Sequence, residues 1–477
     1  MRRSKIVCTL GPATSSEEKI RELIAAGMDV VRINCSHGTL DEHGERIATV
    51  RRVAQEFDKP VAILVDLQGP KIRLAQFANG SEILEVGQSF TITTREVTGD
   101  ATIVGTTFKG LPGDCQVGDT LLVDDGNIKL RVTQVSETDV TTEVVVGGRV
   151  SDHKGLNLPG AAVSVPALSE KDQQDLRWAM TQPINYVALS FVRTATDVQD
   201  VYNLMDECGG RLPVLAKIEK PQAVDNLVDI IENCDGIMVA RGDLGVEMAL
   251  EMVPVVQKRV IQECRFRGKP VIVATQVLES MITHARPTRA EASDCANAIW
   301  DGADAVMMSG ETAVGQYPIE AVQTMSDIIE AAEERGYGEI APLQEGGTDQ
   351  SAIITEAATW IAGHMDAKAV VCFTDSGMTA RRLSRGRTHR PLYAFSYSEE
   401  TRRRLALIWG IHAYQVELGP YLDVMIPHAE KKLLELRVVE RGDKVVFVGG
   451  MPPGERGNTN SIRVHRIGST TDIFVAS

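Results

Sequence analysis

The chain has 477 residues, 43% of them hydrophobic, so it can bury a large core and should divide into roughly two to four domains. A net charge of −15 argues against nucleic acid or an anionic membrane as the main partner, because phosphate-rich surfaces attract basic proteins. No apolar run approaches the roughly 18 residues of a membrane helix, and the N-terminus passes directly into a strand-like pattern. These features indicate a cytoplasmic protein.

The cysteines form no CxxC pair, and nearly all of them lie inside apolar segments. This pattern predicts buried thiols rather than disulfides or a zinc site. The positions are Cys8, Cys35, Cys115, Cys208, Cys234, Cys264, Cys295 and Cys372.

Short apolar segments rich in β-branched residues recur along the first two thirds of the chain. They cover residues 5–10, 29–36, 61–68, 185–191, 213–219, 236–243, 270–277 and 305–312. Segments with helical apolar spacing, such as AVDNLVDIIENC, lie between most of them. Strands alternating with helices in this way predict an α/β fold, a (β/α)8 TIM barrel.

A long segment separates the third and fourth predicted barrel strands. It contains short strand patterns such as SFTITTRE, divided by GD, DDG and GG turns. We predict a small inserted β-barrel domain at residues 68–167, between barrel segments 1–67 and 168–345. Because loops that follow barrel strands lie on the carboxyl-terminal face, this insert should act as a lid there.

The last part of the chain follows a polar, Gly-containing stretch, GYGEIAPLQEGGTDQS. Beyond it, helical and strand patterns alternate again, as in AIITEAATWIAGHM, AKAVVCFTDSG and DKVVFVGG. We therefore predict an α/β domain at residues 346–477.

Nearly every predicted barrel strand ends in polar residues. A single strand-end charge is typical of a solvated side chain or a salt bridge, but convergence from several strands on the carboxyl-terminal face indicates a site. The residues are Arg32, Asn34, Ser36, Asp66, Lys217, Glu219, Arg241, Asp243, Thr275, Gln276, Ser309 and Glu311.

Glu219 and Asp243 end neighbouring strands, which lie about 5 Å apart in a sheet, so their carboxylates could bind one ion. No His or Cys lies at these ends, which favours Mg²⁺ or Mn²⁺ over Zn²⁺. The alternative is a pair of repelling carboxylates, one of them protonated for acid–base chemistry.

Lys217 has two interpretations, a Schiff-base nucleophile or a fixed cation that faces a phosphoryl group. A neighbouring carboxylate keeps the ammonium protonated, which favours the second. Arg32, Lys71, Arg73 and Lys154 could add positive charge to the same mouth. A metal with converging cations indicates phosphate chemistry.

These residues lie in motifs that resemble the pyruvate kinase family over essentially the full chain. The motifs are KIVCTLGPAT, VVRINCSHG, DLQGPKIR, KGLNLPG, LSEKD, AKIEKPQAV, MVARGDLGVE, VATQVLESM, RPTRAEASDCANAIWDGADAVMMSGETAVGQYP and NTNSIRVHRIG. The resemblance implies phosphoryl transfer from phosphoenolpyruvate to ADP, giving pyruvate and ATP as the final step of glycolysis.

The resemblance also implies roles for individual residues. Glu219 and Asp243 would bind the Mg²⁺ or Mn²⁺ ion, and Lys217 would neutralise the phosphoryl group in flight. Substrate binding and catalysis would involve Arg32, Lys217, Gly242, Asp243, Thr275 and Ser309, with Glu311 near the enolate. Nucleotide binding would involve Asn34, His37, Arg73 and Lys154.

One departure from the family pattern concerns an activating potassium ion. Asn34, Ser36 and Asp66 match the usual ligands, but Leu67 stands at the position of a Thr and Lys71 at that of a Glu. The Lys71 ammonium can supply the charge of potassium, so the sequence predicts that K⁺ is not required.

The C-terminal domain carries TDSGMTARRLSRGRTHR, a Ser/Gly loop followed by a helix, which suits anion binding. A solvated helix face is the alternative interpretation of its arginines. In the family this region resembles the effector site, with Thr374, Ser376 and Thr379 around a sugar phosphate or nucleotide, and GGMPPGERGNTN as its second half. The resemblance also implies a homotetramer and allosteric activation.

Two other functions are compatible with parts of the pattern. A metal-dependent aldolase acting on a pyruvate enolate would also use Glu and Asp at strand ends, but it needs neither the insert nor nucleotide-binding cations. A metabolite sensor without turnover would be expected to lose Lys217 or Asp243, and both are present.

Overall fold

The computed structural model describes residues 2–160, 165–343, 348–417, 422–452 and 457–469. Strands and α-helices are numbered along the chain. Among the helices in these ranges, none combines the length and apolar character that a membrane span requires.

The chain begins with three parallel strands and their helices. Each of the two helices starts at a hydroxyl side chain that accepts a backbone N–H: Ser16 caps the first, and Thr39 forms a reciprocal capping box with Glu42 in the second. The elements are β1 (Lys5–Thr9), a 3-10 turn (Pro12–Thr14), α1 (Glu17–Ala26), β2 (Val30–Asn34), α2 (Leu40–Glu56) and β3 (Ala62–Asp66).

The insert follows β3 and is all-β apart from one short helix. Along β8 and β9 buried and exposed residues largely alternate, as expected for a strand with one face on a core. The elements are β4 (Ser81–Leu84), β5 (Ser89–Thr93), β6 (Ile103–Gly105), α3 (Leu111–Asp114), β7 (Thr120–Val123), β8 (Ile128–Val135), β9 (Asp139–Val146), β10 (Gly148–Ser151) and β11 (Leu156–Asn157).

The insert strands form two sheets around one core. The larger has the order β11-β7-β8-β9-β5-β6, and β10 pairs with β4 in the smaller. Phe90, Leu121 and Val132 lie in the shared core. The predicted separate all-β unit is therefore present, with its strands divided between two sheets.

The chain then returns to the barrel. The strands are β12 (Tyr186–Leu189), β13 (Val214–Ile218), β14 (Gly236–Ala240), β15 (Val271–Ala274) and β16 (Ala305–Met308). The helices are α4 (Glu170–Ala179), α5 (Ala195–Glu207), α6 (Pro221–Asp225), α7 (Leu227–Asn233), α8 (Arg241–Glu247), α9 (Val253–Arg267), α10 (Arg289–Asp301), α11 (Gly310–Ala313) and α12 (Pro318–Arg335), with 3-10 turns at Leu250–Met252, Glu279–Ile282 and Tyr337–Glu339.

Eight parallel strands close into a barrel with the order β1-β16-β15-β14-β13-β12-β3-β2. The strands from β12 to β16 are buried at every position, which explains their continuous apolar sequences. The predicted TIM barrel is confirmed.

The C-terminal part is an α/β domain around a five-stranded sheet of order β19-β18-β17-β20-β21. Its last strand is antiparallel to β20. The elements are α13 (Gln350–His364), β17 (Ala369–Phe373), α14 (Met378–Arg385), β18 (Leu392–Ser396), α15 (Glu399–Arg404), a 3-10 turn (Leu405–Leu407), β19 (Ile411–Gln415), α16 (Leu422–Glu435), β20 (Lys444–Gly449) and β21 (Ser461–Arg466).

The C-terminal domain closes the amino-terminal end of the barrel. Ala406 and Leu407 belong to the same core cluster as the barrel interior. The Tyr186 hydroxyl, at the start of β12, donates to the Arg404 carbonyl at 2.8 Å. The C-terminal domain therefore covers the amino-terminal end of the barrel, and the carboxyl-terminal end faces the insert.

All eight cysteines are free thiols, as the sequence predicts. Seven are buried, and Cys208 at the end of α5 is exposed.

Candidate active site

Lys217 and Glu219 meet at the carboxyl end of β13. The Lys217 Nζ lies 2.8 Å from Glu219 Oε1 and 3.5 Å from Asp66 Oδ1, and it donates a hydrogen bond to Ser190 Oγ at 2.7 Å. Alternation of side chains along the strand puts Lys217 and Glu219 on one face, as the spacing predicts. The three strands β3, β12 and β13 thus contribute to one buried cluster.

The charge of Lys217 is fixed by its surroundings. Burial by itself lowers the pKa of this amine, but the negative charges of Asp66 and Glu219 more than offset burial and raise the pKa above its usual value. Imine formation requires a neutral amine, so this environment favours the fixed-cation interpretation over a Schiff base.

Arg32 joins the cluster through Asp66. Its Nε donates to Asp66 Oδ2 at 2.7 Å, and its Nη1 donates to Thr9 Oγ1 at 3.1 Å. The Asp66 side chain is 1% exposed, and that of Arg32 is 11% exposed. Asp66 therefore orients two cations, one from β2 and one from β13.

Two residues that sequence reasoning missed hold the cluster in place. The Phe191 N–H donates to Glu219 Oε2 at 2.6 Å, and the Ser190 hydroxyl, which accepts from Lys217, donates to the Leu67 carbonyl at 2.8 Å. Both residues follow the apolar run of β12. A polar residue directly after the apolar run, as at the ends of the other strands, could have indicated that this strand also contributes to the site.

The hinge into the insert packs against the same two residues. Gly69 has φ +73°, and a Cβ there would lie 2.6 Å from the Phe191 ring and 2.7 Å from Ser190 Cβ. Only glycine fits both the backbone conformation and the space. The position of the insert is therefore coupled to the residues that hold Lys217 and Glu219.

Glu219 and Asp243 form an acidic pair suited to a divalent cation. Glu219 follows β13, and Asp243 lies in the first turn of α8, directly after the neighbouring strand β14. Burial, together with the charge of Asp243, raises the pKa of Glu219, while Lys217 opposes this. A cation between the carboxylates would relieve their repulsion.

Spare acceptor capacity supports this fit. Glu219 Oε1 and Asp66 Oδ1 are buried and lie 2.8 Å and 3.5 Å from the Lys217 amine, but within the described part of the chain neither accepts a well-aligned hydrogen bond, so each keeps a lone pair for a cation. Groups of three or more His, Cys, Asp or Glu suited to a metal do not occur among the described residues. Two carboxylates, with water and substrate oxygens completing the shell, are typical of Mg²⁺ and not of structural Zn²⁺.

The turn after β15 has unusual backbone geometry. Thr275 and Gln276 have φ of 70° and 51°, which is rare for non-glycine residues and most strained for a β-branched one. The Gly242 N–H donates to Thr275 Oγ1 at 2.7 Å, and Arg241 Nη2 donates to the Thr275 carbonyl at 2.7 Å. Arg241 also forms an ion pair with Asp294, and it therefore holds the backbone of Thr275 in place.

Glu311 organises the adjacent loops. Its carboxylate accepts the Ser309 N–H at 2.7 Å and the Leu278 N–H at 3.2 Å. Burial raises the pKa of Glu311. Ser309 therefore sits at the start of α11 in a position fixed by Glu311, at the end of β16.

The residues expected to bind nucleotide do not all converge. Asn34 accepts the Ser36 N–H at 3.1 Å beside the barrel mouth, and His37 is exposed. Arg73 donates to the His153 carbonyl, and Lys154 pairs with Asp124 at 2.7 Å, so both are engaged within the insert.

The positions matched to the potassium site have mixed environments. Leu67 is 1% exposed and apolar, so its side chain offers no ligand. Lys71 lines a cleft between the insert and the barrel, beside Phe191 and Lys220. Within the described ranges Lys71 makes no ion pair, with Asp66 or with any other carboxylate.

The predicted effector residues lie around the start of α14. Thr374 accepts the Gly377 N–H at 3.0 Å, and the hydroxyls of Thr379 and Thr459 are 2.8 Å apart. Ser376 is exposed. Part of the second half of this predicted site, residues 453–456, lies outside the described residues.

A parallel barrel with an inserted β unit, and with a buried lysine between carboxylates at its carboxyl-terminal end, defines a barrel enzyme. The family model "Pyruvate kinase, barrel domain" matches residues 1–322, and "Pyruvate kinase, alpha/beta domain" matches residues 352–465. The chain belongs to the pyruvate kinase family.

Individual relatives agree with this assignment. A pyruvate kinase of Mycobacterium tuberculosis is 52% identical over 467 residues, which cover 98% of this chain and 99% of the relative. One from Corynebacterium glutamicum is 49% identical over 472 residues and covers 99% of both chains. The crystal structure of a Cryptosporidium parvum pyruvate kinase has a TM-score of 0.90 and 33% identity, and the match covers 98% of this chain and 96% of that one.

Proposed function

We propose that this enzyme transfers the phosphoryl group of phosphoenolpyruvate to ADP, giving pyruvate and ATP as the final step of glycolysis in the cytoplasm. The observation that carries the proposal is the ammonium of Lys217, buried and held between Glu219 and Asp66, with Arg32 on the other oxygen of Asp66. Two fixed cations beside an acidic pair suit a reaction that transfers a phosphoryl group, whose oxygens carry negative charge.

Lys217 and Arg32 offset the charge of the transferring phosphoryl group. Both are held by short ion pairs, so little reorganisation is needed when the substrate arrives. The Gly242 N–H donates a hydrogen bond to the Thr275 hydroxyl at 2.7 Å. The substrate carboxylate would replace this bond by accepting hydrogen bonds from both groups. Ser309, with Glu311 behind it, would face the enolate to which a proton is delivered.

Glu219 and Asp243 would hold the Mg²⁺ or Mn²⁺ ion. When bound, the ion supplies positive charge that stabilises the developing enolate oxygen. Glu219 keeps its Oε2 on the Phe191 N–H and offers Oε1, which lies 2.8 Å from the Lys217 amine and keeps a second lone pair for the ion.

Residues 68–167 would act as the lid, with segments 1–67 and 168–345 as the catalytic barrel and 346–477 as the regulatory domain. Closing the insert would bring Arg73 and Lys154 toward Asn34 and His37 on the barrel, where they would bind ADP. Closure would also exclude water, which otherwise competes with ADP for the phosphoryl group.

Potassium would not be required, because Lys71 supplies a positive charge on the hinge and Leu67 offers no ligand oxygen. Rates measured in sodium-free, potassium-free buffer test this point. Activity that collapses there and recovers on addition of potassium contradicts it.

The C-terminal domain would bind a phosphorylated activator, a sugar phosphate or a nucleotide, at Thr374, Ser376 and Thr379. The enzyme would assemble as a homotetramer through the barrel and C-terminal domains. Titration of sugar phosphates and AMP into the assay tests activation, and sedimentation tests assembly.

A lactate-dehydrogenase-coupled assay with phosphoenolpyruvate, ADP and Mg²⁺ tests the reaction itself. Pyruvate formation that requires both ADP and the divalent ion supports the proposal. Pyruvate release from a larger 2-oxo acid without ADP would instead identify an aldolase, and ligand binding without turnover would identify a sensor.

A further inference from the structure

The buried carboxylate of Glu247 links the insert to the part of the barrel that carries the acidic pair. Glu247 ends α8, and its side chain is 1% exposed. Its Oε1 lies 2.5 Å from the Lys220 amine and accepts a hydrogen bond from Asn157 Nδ2 at 2.8 Å. Because Lys220 belongs to the barrel and Asn157 to the insert, one oxygen atom holds both units.

Asn157 is part of the larger sheet of the insert. It lies in β11, where it is the partner of Leu122 in β7. The Leu156 N–H, in the same strand, donates to the Ile72 carbonyl at 2.9 Å. The hydrogen bond to Glu247 therefore attaches a sheet of the insert to the barrel, and a displacement of the insert away from α8 breaks it.

On the barrel side, Glu247 is connected to both members of the acidic pair. Lys220 directly follows Glu219 in the chain, and Asp243 precedes Glu247 by four residues, about one turn of α8. The Lys220 amine also lies 5.8 Å from the centre of the Phe191 ring, and the Phe191 N–H donates to Glu219 Oε2. Glu247 thus reaches Glu219 through Lys220, and Asp243 through its own helix.

A carboxylate as deeply buried as that of Glu247 depends on its few partners. Its Oε2 accepts no hydrogen bond within the described ranges, so Oε1 carries the contacts with Lys220 and Asn157. A hydrogen bond to a charged group contributes more than one between neutral groups, and the difference grows where water is excluded. When the insert separates from α8, Lys220 and Glu247 are therefore held less firmly.

We propose that Glu247 is a positioning residue that couples the insert to the acidic pair, through Asn157 on one side and Lys220 on the other. The bond to Asn157 holds Glu247 and Lys220 in the arrangement that presents Glu219 and Asp243 to a divalent ion. Because coupling between two sites is reciprocal, an ion at the acidic pair in turn favours the position of the insert seen here. This inference rests on the lid role proposed for residues 68–167.

The test uses Mn²⁺ as the probe on the full chain, first alone and then with phosphoenolpyruvate, and it requires no turnover. Electron paramagnetic resonance gives the dissociation constant of Mn²⁺. Hydrogen exchange in peptides that contain residues 120–123 and 156–157 reports on β7 and β11. We expect Mn²⁺ to slow exchange in both strands of the wild type. Asn157→Ala should abolish this slowing and weaken Mn²⁺ binding about fivefold, the lower end of typical coupling between sites.

An exchange of donor and acceptor tests this particular bond. Asn157→Asp places a second carboxylate against Glu247 and should weaken Mn²⁺ binding more than Asn157→Ala does. The double variant Asn157→Asp, Glu247→Gln restores an amide–carboxylate hydrogen bond with donor and acceptor exchanged, and should recover most of both responses. The matched control is Asn79→Ala, which removes an amide–carboxylate bond of 3.1 Å to Glu82 inside the insert and should respond as the wild type does.

A contact that contributes only to stability gives a different result. In that case Asn157→Ala lowers the melting temperature, but the Mn²⁺ affinity and the exchange response stay those of the wild type, which overturns the proposal. A double variant that folds and binds Mn²⁺ as weakly as Asn157→Asp also overturns it. Asn157 is half-buried, so Asn157→Ala should fold, as circular dichroism would check, and it decides the question if the double variant does not.

The lid role can fail separately. If Mn²⁺ and phosphoenolpyruvate together leave exchange throughout residues 68–167 of the wild type unchanged, the insert is not a lid, and the coupling through Glu247 is overturned with it. If exchange in the wild type slows and Asn157→Ala behaves identically, the lid role stands and only the coupling is overturned.

Discussion

Arg32 and Asp66 form an ion pair of 2.7 Å between Nε and Oδ2, and the second oxygen of Asp66 lies 3.5 Å from the Lys217 amine. One buried carboxylate therefore positions two cations of the active site. Asp66→Asn keeps the shape of the side chain, but it replaces one acceptor oxygen by an NH₂ donor. It also removes the negative charge that Arg32 and Lys217 share. Breaking a buried pair costs about 3 to 5 kcal/mol of unfolding free energy.

For Asp66→Asn we expect a lower melting temperature and kcat reduced at least tenfold. The coupled assay and thermal unfolding measure the two effects. Asp366→Asn, which removes the exposed partner of Arg390, is the matched control and should change neither. Full activity in Asp66→Asn would show that Asp66 does not position Arg32 and Lys217 for catalysis.

Lys217→Met removes the central cation but keeps an unbranched side chain. We expect phosphoryl transfer to fall by roughly three orders of magnitude, because a buried charge aimed at the reacting group is lost. Binding of Mn²⁺, followed by electron paramagnetic resonance, should persist, since Glu219 and Asp243 are unchanged. Lys19→Met, at a half-exposed surface lysine that pairs with Glu22, is the control. Wild-type turnover in Lys217→Met would remove this residue from the mechanism.

Lys71→Glu reverses the charge at the hinge. If the Lys71 ammonium takes the place of potassium, the variant should lose activity in potassium-free buffer and regain part of it as potassium is added. Leu67→Thr, combined with it, should increase the recovery because it adds a ligand oxygen. Coupled-assay rates with and without potassium measure both effects. Equal rates in both buffers for both variants would exclude a role for Lys71 as the replacement cation.

The barrel could be predicted because its strands are continuous apolar runs with polar ends: the runs follow from burial on two faces, and the polar ends mark where the strands leave the core at the mouth of the barrel. Lys217, Glu219 and Asp66 could be placed together because alternation along a strand and the order of strands fix their positions. Ser190 and Phe191 were missed, since their role depends on a backbone N–H and a hydroxyl that carry no charge signal.

The C-terminal domain shows a different limit. Strands β19 and β21 were not predicted: the sequences IHAYQ and SIRVHR mix polar and apolar residues because β19 and β21 lie at the edges of the sheet. The arginines of α14 had two interpretations, and no sequence pattern shows that Arg385 and Arg387 are buried against the barrel. That depends on the contact between domains.

His412 on β19 provides a test of how burial at this domain contact affects stability. Burial, and then the charge of Lys5, lowers the pKa of His412 to about 3, and its ring packs 5.5 Å from that of Tyr393. The unfolded chain binds a proton at this residue near pH 6.5, whereas the folded chain does so only near pH 3. The neutral, buried imidazole of His412 therefore contributes its full stability above pH 6.5. This contribution to the unfolding free energy is lost as the pH falls from 6.5 toward 3.

His412→Phe keeps an aromatic ring that cannot titrate. Between pH 7 and pH 5 the wild type should lose about 2 kcal/mol of unfolding free energy more than this variant, which follows from 1.36 kcal/mol for each unit between 6.5 and 5. Urea and thermal unfolding at the two pH values measure the difference. The exposed variant His364→Phe should follow the wild type, because its side chain is solvated in the folded chain. If His412→Phe loses as much stability as the wild type, the imidazole of His412 is already solvated in the folded protein.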